Sequence, residues 1–144
     1  MADWFEKVTL GNLVDQAAHR FGAKEALYFE GQRWTFAQLK QDIDRAARGL
    51  LQLGIQPGEK VSLWMPNRPE WVHILFALAK IGAVLVPVNT RFRTSDLEYV
   101  VLQSDSTTLI TVDRSGPVDY LDMTREVVPE RVWPYQRPPF RDLS

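Results

Sequence analysis

The chain has 144 residues, 17 Lys and Arg against 18 Asp and Glu, a net charge of -1 and a 45% hydrophobic content. That length suits one domain or part of a larger one, and the composition excludes a disordered chain, a collagen-like chain and a pure coiled coil. No basic excess is available to neutralise a nucleic-acid backbone, and the lack of cysteine excludes a disulfide scaffold, a Cys-ligated zinc site and a thiol nucleophile.

In chain order, Leu10, Leu13, Val14, Ala17, Ala18 and Phe21 follow helical spacing, with Thr9 as a start and Gly22 as an end. Ala26–Phe29 and Arg33–Phe36 flank Glu30-Gly31-Gln32 and predict a β-hairpin. Thr35 and Gln38 have capping-box spacing at the head of a second helix. Its apolar stripe runs through Leu39, Ile43, Ala46, Ala47, Leu50 and Leu51, and Gly54 is the expected left-handed stop. Asp42 and Asp44 are assigned to the solvated face of that helix.

A turn at Gln56-Pro57-Gly58 leads to a buried strand over 61–65. A third helix starts among Asn67, Arg68, Pro69 and Glu70, with Asn67 as the expected N-cap, and stops at Gly82. Val84–Val88 is a second strand, with Pro87 near its end or at an edge. A fourth helix from Thr94 or Ser95 turns Leu97, Val100 and Val101 inward, and Thr107–Val112 is a third strand. Strands alternating with helices and apolar on both faces predict an α/β fold with a parallel sheet.

Beyond Val112 the pattern weakens. Arg114-Ser-Gly-Pro117 reads as a turn, and 118–128 as one more helix. Four of the nine prolines fall between Pro129 and Pro139. Such a run holds neither a helix nor a central strand. The division expected is a partial α/β domain over 1–128 and a Pro-rich tail or linker over 129–144.

The search for chemistry yields little. His19 and His73 lie on predicted helices without metal-ligand spacing and read as surface or packing residues. No Gly-x-Ser-x-Gly elbow is present, and the 8 glycines form no phosphate-binding motif. No catalytic residue and no metal ligand is assigned. Trp64, Trp71 and Phe76 are read as packing residues.

Three segments nevertheless resemble the adenylate-forming ligases, the AMP-forming acyl-CoA synthetase family. They are Trp34-Thr-Phe-Ala-Gln-Leu39, then Leu78-Ala-Lys-Ile-Gly-Ala-Val-Leu-Val-Pro-Val-Asn89, then Asn89-Thr-Arg-Phe92 with Leu97-Glu-Tyr99, Asp105-Ser106 and Thr108-Leu-Ile110. Pro57–Val61 and Asn67–Trp71 fit the same pattern, and the likeness covers 9–112. It implies the first part of the family's N-terminal domain: a partial parallel sheet, flanking helices and an N-terminal hairpin.

The resemblance implies a parent reaction in which a carboxylic acid, ATP and coenzyme A give acyl-CoA, AMP and pyrophosphate, with Mg²⁺. It also implies that Arg91 contacts the coenzyme A phosphates in a complete enzyme, with Arg93 the weaker neighbour and a solvated or salt-bridged surface arginine the alternative. The family's Ser/Thr/Gly-rich phosphate loop, its ribose-binding Asp and its C-terminal catalytic lysine are absent from these residues. The chain is therefore expected to be an N-terminal fragment, inactive and without cofactors alone, with ATP, Mg²⁺ and CoA serving the complete enzyme. The alternative is a non-catalytic α/β binding module acting with a protein partner. Exposed apolar surface, self-association or pairing with the rest of the ligase is expected. So are a cytoplasmic location, no membrane span and no nucleic-acid partner.

Overall fold

The computed structural model describes residues 8–128. The Pro-rich segment 129–144, expected to be a tail or linker, lies outside the described residues.

Helix α1 spans Leu10–Phe21, and the Thr9 hydroxyl accepts from the Asn12 N–H as a side-chain cap. Gly22 ends it in a right-handed helical conformation, so its small size matters there and left-handed freedom does not. Strands β1 (Glu25–Phe29) and β2 (Gln32–Thr35) pair antiparallel. The loop between them is two residues, Glu30 and Gly31, both with positive φ. That is the geometry a right-twisted hairpin prefers, with the unfavourable position taken by a glutamate.

Helix α2 (Phe36–Gln52) opens on the expected capping box. The Thr35 hydroxyl accepts from the Gln38 N–H, and the Gln38 side chain accepts from the Thr35 N–H. It closes as a Schellman motif: Gly54 donates to the Leu51 carbonyl and Ile55 to that of Leu50, with Gly54 at φ 89. The apolar side chains of Ile55 and Leu50 belong to the same buried cluster.

Strand β3 (Lys60–Trp64), helix α3 (Pro69–Ile81), strand β4 (Val84–Pro87), helix α4 (Thr94–Ser104) and strand β5 (Thr108–Thr111) alternate as expected. The three strands are parallel, in the order β4-β3-β5. Helix α3 begins one residue later than Asn67 capping would place it. Arg68 is the N-cap, without a side-chain bond, and Pro69 is the first helical residue. A proline holds the residue before it extended, and Arg68 sits at φ -150, ψ 161. Gly82, at φ 76, is the left-handed stop.

Arg114–Ser115 (β6) and Val118–Asp119 (β7) form a small antiparallel hairpin around the expected Gly116-Pro117 turn. Helix α5 (Tyr120–Val127) starts two residues later than the sequence suggests, because the Asp119 carboxylate caps it at the Asp122 N–H.

Alternation along β3 divides the interior. Val61 and Leu63 join the core of α1, α2 and α3, whereas Trp64 joins Val88, Leu97 and Tyr120 on the side of α4 and α5. Strand β4 is apolar on both faces as expected, and Val84 at its head is 46% exposed. Tyr99 and Leu102 on α4 are also exposed.

Candidate functional site

In an open parallel sheet, ligands bind beyond the carboxyl ends of the strands, where neighbouring connections leave toward opposite faces. Here the chain leaves β3 into α3 on one face and leaves β4 into α4 on the other, then crosses β3 to reach β5. The loop Val88–Arg93 stands at that divergence.

Its shape is set by short-range bonds. The buried Trp64 indole donates to the Asn89 carbonyl at 3.2 Å, so the strand side chain read as packing also anchors the loop. The Asn89 side-chain oxygen accepts from the Arg91 N–H at 2.9 Å, and Phe92 N–H bonds back to the Asn89 carbonyl. An Asn accepting from the backbone two residues on is an Asx turn, legible from Asn89-x-Arg91 once the strand end is known.

The two arginines part company. The Arg93 guanidinium donates to the Thr90 and Phe92 carbonyls at 3.2 and 2.8 Å, and its N–H donates to the Asp96 carboxylate. Arg93 thus builds the loop and the helix start. The exposed Arg91 is left outside that framework. Arg45, Arg68 and Arg114 each pair with a carboxylate, whereas among the described residues Arg91 enters no such pair. A rigid backbone carrying a free guanidinium fork can receive an anionic oxygen pair.

The remaining sequence candidates lie elsewhere. His19 borders a shallow surface hollow with Asp15, Gln16 and Arg20. His73 is buried on α3. Trp71 lines an apolar recess of about 180 Å³ with Leu27, Phe29, Asn67, Arg68, Pro69 and Val72. Phe76 packs against the first core. Among the described residues no three His, Asp or Glu side chains gather as a metal site, and no helix is long and apolar enough to cross a membrane.

Asp42 and Asp44 are not on a solvated face. Asp42 accepts the Trp34 indole N–H at 3.1 Å, and Asp44 is held by Lys40 and Lys80. Lys80 also reaches Asp15 at 2.7 Å, so the network ties α1, α2 and α3 together. Burial pushes the Asp44 carboxyl upward, but the two ammonium groups outweigh it and hold it below the usual carboxylate value. Burial likewise lowers Lys80, and the bonds to Asp15 and Asp44 raise it above the ordinary lysine value. Helical periodicity alone could not show this, because the partners come from three helices.

A parallel α/β sheet with an arginine-bearing loop at its connection switch places the chain in the open, layered α/β class. The family model described as AMP-binding enzyme matches residues 14–141, and the chain belongs to that family. It is 38% identical over 124 residues to the mitochondrial medium-chain acyl-CoA ligase ACSF2 of Mus musculus, a match covering 85% of this chain and 20% of the relative. In structure it resembles the N-terminal subdomain of Klebsiella oxytoca NpsA in complex with 3-hydroxyanthranilyl-AMSN. The TM-score there is 0.75 at 26% identity, over 79% of this chain and 29% of the other. A Mycobacterium tuberculosis fatty acyl CoA synthetase gives 0.68 at 33% identity, over 72% and 21%. The chain thus spans about a fifth of the length of the curated relative it matches.

Proposed function

We propose that this chain is the opening portion of the N-terminal domain of an acyl-CoA ligase, which joins a carboxylic acid to coenzyme A at the expense of ATP, giving AMP and pyrophosphate. The observation that carries this reading is the 38% identity to a medium-chain acyl-CoA ligase over 124 residues. The ordered resemblance from Trp34 to Ile110 supports it.

The residues present suit part of that task. Arg91, exposed on a fixed loop and free of carboxylates among the described residues, is the group we assign to the coenzyme A phosphates. The chain has no Gly-rich loop to cradle a triphosphate, and its described residues gather no carboxylate cluster for Mg²⁺. ATP and Mg²⁺ therefore belong to sites completed by other residues of the whole enzyme. The 144-residue polypeptide alone does not activate an acid. Exposed apolar side chains, among them Val84, Tyr99 and Leu102, are where it would pair with the remainder of the ligase or with itself.

Two measurements test this. Purified chain mixed with ATP, Mg²⁺, coenzyme A and a panel of straight-chain acids is expected to release no pyrophosphate above buffer. Residues 14–128 grafted in place of the matching segment of the mouse ligase are expected to preserve acyl-CoA formation. In that graft Arg91→Ala should raise the KM for coenzyme A about tenfold while leaving that for ATP unchanged, the scale of one lost charge-assisted contact. Turnover by the isolated chain, or a folded graft without ligase activity, would overturn the proposal.

A further inference from the structure

Beneath the N-terminal hairpin one buried group lacks a partner. His73 is 2% exposed, and among the described residues neither ring nitrogen has a hydrogen bond. Buried polar atoms are nearly always paired, so an orphaned imidazole asks for a reason.

One carboxylate comes within 4.0 Å of it: Asp42 Oδ2 lies at that distance from His73 Nε2, beyond hydrogen-bond reach. The same oxygen accepts the Trp34 indole N–H at 3.1 Å. The Trp34 ring meets the imidazole edge-on, 6.3 Å between centroids. One carboxylate oxygen therefore faces two ring nitrogens from different elements and serves only the indole. That indole bond ties β2 to α2.

The charged groups acting on His73 are Asp42 and Arg45 from α2 and Glu70 on α3 itself, and the hairpin side presents the uncharged indole. Burial is the strongest influence and holds the imidazole below its ordinary value, with Arg45 acting the same way and both carboxylates opposing.

We propose that His73 is a proton-operated latch for the β1–β2 hairpin: neutral, it leaves Asp42 to Trp34; protonated, it takes that carboxylate and releases the indole. An imidazolium is a stronger donor to a carboxylate than a neutral indole. A buried positive charge also demands a pair far more strongly than a neutral ring does. The gap to be closed is the difference between 4.0 Å and a hydrogen-bond length. The hairpin is tight above the His73 midpoint and loosened below it.

The experiment is an NMR titration of the full chain from about pH 7.5 to about pH 5, spanning the ordinary imidazole range. It follows the His73 ring proton and the hydrogen-exchange protection of the Trp34 indole, assigned with His19→Gln and Trp34→Phe. Indole protection is expected to fall about tenfold, with the same midpoint as His73 and below the usual imidazole value. In His73→Gln that protection should persist across the range. If that variant does not fold, coincidence of the two midpoints in the unaltered chain decides the matter. A His73 that titrates while Trp34 protection stays constant would overturn the latch. So would a His73 that does not titrate, or a Trp34 transition that survives in His73→Gln.

Discussion

Val61 and Leu63 look into a layer of three helices, whereas Ser62 and Trp64, their alternating neighbours on β3, look toward α4 and α5. The first side gathers thirteen buried hydrophobic residues, and the second gathers four. The first also has its charges tied between helices, with Lys80 bridging Asp15 and Asp44. On the second, the polar Ser62 is satisfied by the Ser106 hydroxyl at 2.7 Å, and Tyr99 and Leu102 face outward at 66% and 67% exposure. One layer is a finished core. The other is a thin coat with few buried side chains, in a chain that spans a fifth of its curated relative.

That contrast can be broken by mutation. The largest effect is expected from Leu50→Ala, which empties a fully buried site in the finished core. Chemical denaturation should show a loss of about 3–5 kcal/mol, against about 2–3 kcal/mol for Leu97→Ala in the thin layer, where neighbours can collapse into the space. Equal losses would mean that both layers pack alike.

Gly11 comes next. A Cβ there would lie 2.8 Å from the Ala79 carbonyl oxygen, which is backbone and cannot swing aside. Gly11→Ala is expected to cost about 1–3 kcal/mol in the same assay, although alanine favours a helix. A neutral or stabilising result would show that α1 is free to shift over α3.

The smallest effect sharpens the comparison through charge. Lys80→Met should cost about 1 kcal/mol near neutrality, since its pairs are only partly screened. Arg114→Ala, in an exposed pair with Asp119 on the other side, should leave the denaturation midpoint unchanged. The sign with pH follows from the two shifts. Asp44 lies below its unfolded value of 3.8, so its contribution is present above that pH and fades as acid titrates the folded carboxyl. Lys80 lies above 10.5, so its contribution is present below that pH and is lost as alkali passes its folded value. Lys80→Met should remove the Lys80 share of the alkaline loss and shrink the acid one.

The elements were legible because their signals are local. Thr35 with Gln38, Gly54, Gly82 and the strand–helix alternation from Val61 to Val112 each act within one turn or one strand. The misplacements are local competitions. Pro69 overrode Asn67 at the start of α3, and Asp119 claimed the start of α5. What escaped the sequence is relational. Gly11 looks like an ordinary helical glycine until α3 lies against it. Asp44 looks solvated until Lys80, 36 positions away, reaches it. At the candidate site the expectation for Arg91 rests on resemblance alone, and the assignment of Arg93 to loop building requires the fold.

Pro87 carries one last consequence. The N–H groups of Val84 and Val88 point at β3, to the carbonyls of Glu59 and Leu63. By alternation those of Leu85 and Pro87 point to the opposite rim, and proline has none to offer. Along its outer rim β4 thus presents a single backbone donor, at Leu85. A chain meeting that edge would find the Leu85 and Pro87 carbonyls but only one N–H, so the missing donor interrupts the ladder and disfavours edge-to-edge stacking.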